Sequence, residues 1–379
     1  MDFAATTPLD PAVLEQMQPY LKGKYGNASS IHSMGQEAKV AIDEARETVA
    51  DLLNGSASEI VFTGSATEAN NLAIKGLVNK FEKPHVITTE FEHHAVLHPI
   101  EKLEEEDLIE VTHLSIGDKG LISTEQVEEA LKENTVLVSI MYANNEIGTI
   151  QPIKEIGELL KDKNKERDQK IFFHTDAVQA ANYLNCDVQE LNVDLLSLSA
   201  HKFYGPKGVG ALYVDEDVNL EPIILGGGHE SGLRSGTENV AGIVGMGAAI
   251  ERITDDHKRI KQLRNKLING ILNEISDVQL NGDREKRLPN NVNVSIKGIE
   301  GESIVISLDQ KGIEASTGSA CSTQSLKPSH VLTSLGLSPQ EAHGSLRLTL
   351  GKYNNKQDIE KVLRVLPKVV KRLREISPF

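Results

Sequence analysis

The chain is expected to adopt an α/β fold: a large, mainly parallel, seven-stranded sheet covered by helices on both faces, joined to a smaller α+β domain. Three observations support this. Short apolar runs alternate with helical patterns from about residue 57 to 215, the order that builds parallel sheets through helical crossovers. Beyond residue 275 the alternation gives way to short strands and helices in mixed order. The length, 379 residues, suffices for two or three domains.

Seven runs supply the strands of the large sheet: 59–63, 85–89, 109–115, 135–142, 170–174, 194–199 and 209–214. Residues 68–81, 124–132 and 153–163 carry apolar positions at helical spacing between them. Ligands of such sheets bind beyond the carboxyl ends of the strands, where Thr67, Asn144, Asn145, Asp176 and Lys202 fall. A single long helix is expected over 240–275, with Ile253, Ile260, Leu263, Leu267 and Ile271 at helical spacing. The smaller domain then follows, with strands at 278–281, 291–296, 314–319 and 345–350, a helix from Glu302 and a closing helix over 356–376. The first residues are expected to return to it. The expected division is 12–250 for the large domain, and 1–11 with 251–379 for the small one.

Composition narrows the function. A formal net charge of −15 argues against an electrostatic nucleic-acid surface and against attraction to anionic membranes. Two cysteines exclude a disulfide scaffold and fit a reducing compartment. No apolar stretch approaches the roughly 20 residues that span a bilayer, and no basic-then-apolar leader opens the chain. A cytoplasmic protein without a metal site is expected.

The strongest chemical signal is Ser199-Ala200-His201-Lys202, which closes an apolar run just downstream of His174-Thr175-Asp176-Ala177-Val178-Gln179. A lysine at the mouth of a buried strand, flanked by hydroxyl and imidazole groups, can hold an aldehyde cofactor as a Schiff base while its neighbours hold a phosphate. Asp176, ending the preceding strand, can pair with a pyridinium nitrogen. Together these residues point to pyridoxal phosphate chemistry; Lys202 alone would read as a solvated surface charge.

The other motifs each leave two readings. Gly64-Ser65-Ala66-Thr67-Glu68 is either an anion cradle at a helix N-terminus or an ordinary cap, with Thr67 satisfying the first turn. His93, in Glu92-His93-His94, either caps a helix or stacks on a flat cofactor ring and moves protons. Asn145 either donates to a phenolate oxygen or, with Asn144, makes a turn. Thr237 ends a glycine-rich stretch opened by Gly226-Gly227-Gly228, at the start of the long helix. It belongs either to a mobile loop or to a phosphate site, on its own chain or a neighbour's. Cys321, among Gly318, Ser319, Ala320 and Ser322, is expected on an accessible loop as a nucleophile once deprotonated. Cys186 has no such surroundings and is expected to be structural. Arg347, on a strand, suits a bidentate grip on a carboxylate.

Taken in order, these motifs resemble those of the NifS/IscS-type cysteine desulfurases, fold-type I enzymes of the class V aminotransferase family that depend on pyridoxal 5'-phosphate. The resemblance runs nearly end to end, from Ala4-Ala5-Thr6-Thr7-Pro8 and Gly26-Asn27-Ala28-Ser29-Ser30 to Ser345-Leu346-Arg347. It implies Lys202 as the Schiff-base lysine, Asp176 at the pyridine nitrogen, Gln179 and Asn145 at the ring and substrate side, and His93 as a stacked acid/base. Thr67, Ser199 and His201 would bind the phosphate, with Thr237 contributed across a homodimer interface. Arg347 and Asn145 would hold the carboxylate of L-cysteine, and Cys321 would take its sulfur as a persulfide, releasing L-alanine. The sulfur would pass to an iron–sulfur scaffold or a tRNA-thiolating enzyme.

The segment between Cys321 and Arg347 is similar in length to that of members with an extended cysteine loop. Only Met1-Asp2-Phe3 precede the Ala-Ala-Thr-Thr motif, Ala28 stands where many members have proline, and the chain ends at Phe379, short of housekeeping members. A truncated start and a different sulfur acceptor are the matching expectations. The rival enzymes are an aminotransferase, which has no need of Cys321, and a selenocysteine lyase. A non-catalytic scaffold would lack Lys202 or Cys321.

Overall fold

Seven strands form the large sheet of the computed structural model, which describes residues 1–318 and 328–376. They are β1 (Ile60–Thr63), β2 (His85–Thr89), β3 (Glu110–Leu114), β4 (Thr135–Ser139), β5 (Phe172–Asp176), β6 (Leu195–Ser199) and β7 (Gly210–Val214). Their order is β1-β7-β6-β5-β4-β2-β3. The pairs from β3 through β6 are parallel, and β7 runs antiparallel between β1 and β6.

Successive residues of a strand face opposite layers. Val61, Val86, Phe172, Leu195 and Leu212 accordingly enter one apolar layer, and Phe62, Ile87, Phe173, Leu196 and Ala211 the other. Burial on both faces is why these segments read as apolar runs. His174 is a buried polar residue at the sheet's centre. Its Nδ1 lies 2.8 Å from Ser139 Oγ on β4 and its Nε2 3.1 Å from Ser197 Oγ on β6, so the buried ring has a partner at each nitrogen.

The second sheet is antiparallel, in the order β10-β9-β8, from β8 (Val278–Leu280), β9 (Asn291–Ile296) and β10 (Ser345–Thr349). Val292, Val294, Leu346 and Leu348 share a core with Ile271 and Leu366 of the helices His257–Glu274 and Lys356–Ile376. The first residues do return here. Asp2 bridges Thr349, Thr349 N–H donates to Met1 O at 2.8 Å, and Ala4 N–H donates to Thr349 Oγ1 at 2.9 Å.

Two expected elements differ. The helix expected over 240–275 is two helices, Val240–Ile250 and His257–Glu274. Apolar residues at helical spacing run straight through the break, but Thr254-Asp255-Asp256 carries side chains that favour caps over helix interiors. Asp256 precedes the second helix and takes the Arg259 guanidinium, which also donates to Lys352 O at 3.0 Å. The first helix packs against helices Pro11–Leu21 and Ser33–Leu53, the second against Lys356–Ile376. The strand expected over 314–319 is a single bridge among the described residues: Ser316 and Arg347 exchange hydrogen bonds of 3.1 and 2.7 Å. No helix among the described residues is long and apolar enough to cross a membrane.

Candidate active site

β5 and β6 end side by side, and their last residues, Asp176 and Ser199, line a cavity of about 280 Å³. Thr67, His93, Asn145, Gln179, His201, Lys202 and Arg347 line it as well. All nine come from segments that leave the strand ends or, for Arg347, from the middle of β10. Two expected residues are not among them. Cys321 lies outside the described residues. Thr237 is exposed and does not line the cavity of its own chain; Asn239, which accepts from Gly242 N–H at 3.1 Å, caps the following helix.

Asp176 is buried and held at both oxygens. Val178 N–H donates to Oδ1 at 3.0 Å, and Asn70 Nδ2 donates to Oδ2 at 2.8 Å. Lys202 ends the short turn after β6, and its Nζ donates to Ala4 O at 2.6 Å and Ala5 O at 2.9 Å. Gln179 Nε2 donates to the same Ala4 O at 3.1 Å. His201 Nδ1 lies 3.1 Å from Thr6 Oγ1; burial, with the Lys202 and Lys207 charges adding, pushes its pKa down to about 4. The segment from Asp2 to Thr7 therefore strings across the site.

His93 caps a helix and Asn144 makes a turn, while His93 and Asn145 both line the cavity. His93 Nδ1 accepts from Ala95 N–H at 3.0 Å and caps helix His94–Glu105. That bond puts the proton of the neutral ring on Nε2, and burial holds the pKa below the usual histidine value. Asn144 makes the turn, accepting from Glu146 and Ile147 N–H at 2.8 and 3.0 Å, and this leaves the Asn145 side chain for the cavity. At the other helix start the cap is Ser65, which accepts from Glu68 N–H at 3.2 Å, rather than Thr67. Gly210 lets this turn approach the sheet closely: a Cβ there would meet Ser65 C at 2.7 Å and Ala66 N at 2.9 Å.

Arg347 is 2% exposed. Its Nη1 donates to Asn145 O at 2.9 Å and its Nη2 to Asp2 Oδ1 at 3.0 Å, while Nε–H is buried without a partner among the described residues. Cys186 is buried, and burial pushes its thiol up to about 12, as suits a structural cysteine. Asn70 and Asp2 escaped the sequence reading. Asn70 stands three residues after Thr67, one helical turn on, which is a usable signal for a shared face; Asp2 had only the expected return of the first residues.

Pyridoxal phosphate, which the resemblance implies, fits this donor set. The cavity offers an anchored carboxylate for a ring nitrogen, an amine for an aldehyde, and hydroxyls beside a helix N-terminus for a phosphate.

Comparisons with known proteins agree along the whole chain. "Cysteine desulfurase IscS" of Clostridium botulinum is 52% identical over 387 residues, spanning 100% of this chain and 96% of the relative. A solved "NifS-like protein" superposes with a TM-score of 0.91 at 39% identity, over 98% of this chain and 99% of that one. SspA in complex with cysteine gives 0.83 at 42% identity, over 93% and 99%. The sequence model of the family described as aminotransferase class-V matches residues 1–362. The chain thus belongs to the class-V aminotransferase family and, within it, to the NifS/IscS-type cysteine desulfurases.

Proposed function

We propose that this protein removes the sulfur of L-cysteine, releasing L-alanine and leaving a persulfide on Cys321 for delivery to an acceptor. The observation that carries the reading is the convergence of Lys202, Asp176 and Arg347 on one cavity. The full-length likeness to the clostridial cysteine desulfurase and the likeness to SspA in complex with cysteine support it. Pyridoxal 5'-phosphate, when bound, supplies an electron sink for negative charge at the substrate Cα.

The residues divide the work. Lys202 would hold the aldehyde, and Asp176, fixed by Asn70 and Val178, would keep the pyridine nitrogen protonated. Thr67, Ser199 and His201 would hold the phosphate, and Gln179 would address the ring. Arg347 and Asn145 would grip the substrate carboxylate and so orient its Cα–H bond. His93 would give and take back a proton at Nε2. The Cys321 thiolate would attack the substrate sulfur: an S–S bond forms, the Cβ–S bond breaks, and the electron pair stays on Cβ, which takes a proton to become the methyl group of alanine.

A homodimer belongs to this reading. Ile31, Leu225 and Tyr25 are 95, 82 and 74% exposed, apolar surface that a second copy would cover. Thr237, exposed on its own chain, would reach the partner's phosphate site. The sulfur acceptor would be an iron–sulfur scaffold or a tRNA-thiolating enzyme. We also read the chain as two domains, 12–250 and 1–11 with 251–379.

The test is alanine and sulfide production from L-cysteine by wild type and Cys321→Ala holoenzyme. The wild type turns over. The variant keeps its cofactor absorbance and exchanges the Cα proton with solvent, but sulfur transfer falls by several orders of magnitude, because a positioned nucleophile has an effective molarity on the order of 10⁵ M. Wild-type rates from the variant would overturn the reading.

A further inference from the structure

The buried guanidinium of Arg347 already has a carboxylate. Asp2 Oδ1 lies 3.0 Å from Nη2, with the Asp2 side chain 26% exposed and Arg347 only 2%. The backbone fixes this approach. Asp2 bridges Thr349, two residues beyond Arg347 on the same face of β10, and the Met1 and Thr349 hydrogen bonds hold it there. Phe3 packs beside Tyr204, with ring centroids 6.3 Å apart, and anchors the next residue. The pair is therefore built into the fold.

The guanidinium nonetheless keeps capacity to spare. Arg has five N–H donors; one goes to Asn145 O and one to Asp2, and Nε–H is buried without a partner among the described residues. A substrate carboxylate can be taken up while Asp2 stays in place. Two carboxylates would then flank one cation, and their repulsion offsets part of its attraction.

We propose that Asp2 sets the affinity of the site for the substrate carboxylate: its charge shares the Arg347 guanidinium with the bound amino acid and loosens the grip. This rests on the role given to Arg347 above. Asp2 supplies the counter-charge that a buried cation needs when no substrate is present, and it keeps substrate and product exchangeable once they bind. It touches neither reacting atom, so it is a positioning and affinity-setting residue.

The test separates charge from geometry. Asp2→Asn keeps the acceptor oxygen and removes the charge; Asp2→Glu keeps the charge. In the holoenzyme, Asp2→Asn should lower KM for L-cysteine roughly three- to tenfold, the size expected for one unit charge several ångströms away in a partly screened site. The kcat should stay within about twofold. Calorimetric Kd for 3-mercaptopropionate, which is cysteine without its amine, should fall by the same factor, and the gain should shrink in high salt. The neutral 3-mercaptopropionamide should bind wild type and variant alike, and Asp2→Glu should match wild type. Unchanged or weaker binding of the carboxylate by Asp2→Asn, or an equal shift for the amide, would overturn the inference. The calorimetric comparison stands even if the wild type makes no alanine from cysteine, so failure of the functional reading is seen separately.

Discussion

Asn70 Nδ2 donates to Asp176 Oδ2 at 2.8 Å, joining the helix after β1 to the end of β5 at the base of the cavity across 106 residues of sequence. With Val178 N–H on Oδ1, each Asp176 oxygen accepts one hydrogen bond from among the described residues, and both side chains are buried. A charged acceptor in such a place depends on its donors, because water cannot replace them.

Asn70→Ala should therefore weaken cofactor retention about tenfold or more and cost about 1.5–3 kcal/mol of stability, the usual worth of a hydrogen bond to a charged group. Cofactor titration of the apo variant and urea denaturation measure the two effects. Wild-type affinity in the variant would show that Val178 N–H alone positions Asp176.

Glu92 should give stability a downward slope with rising pH. Its Oε1 accepts from Thr89 Oγ1 at 2.7 Å and Met141 N–H at 2.9 Å, and Oε2 is buried without a partner among the described residues. Burial pushes its pKa up to about 8 from 4.5. Between those values the folded state holds a proton that the unfolded state has lost, so stability is full below about pH 4.5 and declines as pH rises towards 8. The slope is at most about 1.4 kcal/mol per pH unit. Glu92→Gln cannot titrate and should flatten it, as urea midpoints at pH 5, 6, 7 and 8 would reveal. An unaltered slope would acquit Glu92.

His174 should act in the opposite sense. Burial pushes it down to about 4 from 6.5, so its contribution is present above pH 6.5 and is lost as pH falls towards 4. His201 is shifted the same way. Replacing the buried ring by glutamine, His174→Gln, should shrink the loss of melting temperature between pH 7 and pH 5, even though the variant starts from a lower value. The same loss in both proteins would place the acid-sensitive group elsewhere.

The large sheet was legible in the sequence because all its strands but the edge strand β3 are buried on both faces, and runs such as Leu195-Leu196-Ser197-Leu198 have no other use. The same runs marked their own ends, so Asp176, Ser199 and Lys202 could be placed at a site. Local chemistry was harder to assign. Ser65 and Thr67 are both hydroxyl residues at one helix start, and only the backbone direction made Ser65 the cap. The break between Ile250 and His257 was hidden because the apolar spacing continues across it, while the contacts that make two helices preferable to one come from distant segments. The pairing of Asp2 with Arg347 depends on such distant packing too, and nothing near Asp2 in sequence announces it.

The strap formed by the first residues also fixes an order of assembly. Its anchors, Thr349 and Arg347, lie 345 residues away from Ala4 and Asp2. At a synthesis rate of roughly 5–20 residues per second, the start of the chain waits on the order of 20–70 s for the strand that will hold it. The large sheet has all its strands well before that moment, yet the pocket lacks one wall until β10 has emerged. Completion of the pocket thereby reports that synthesis has passed β10, and a ribosome-stalled fragment ending before β10 would carry Lys202 and Asp176 in an unfinished site.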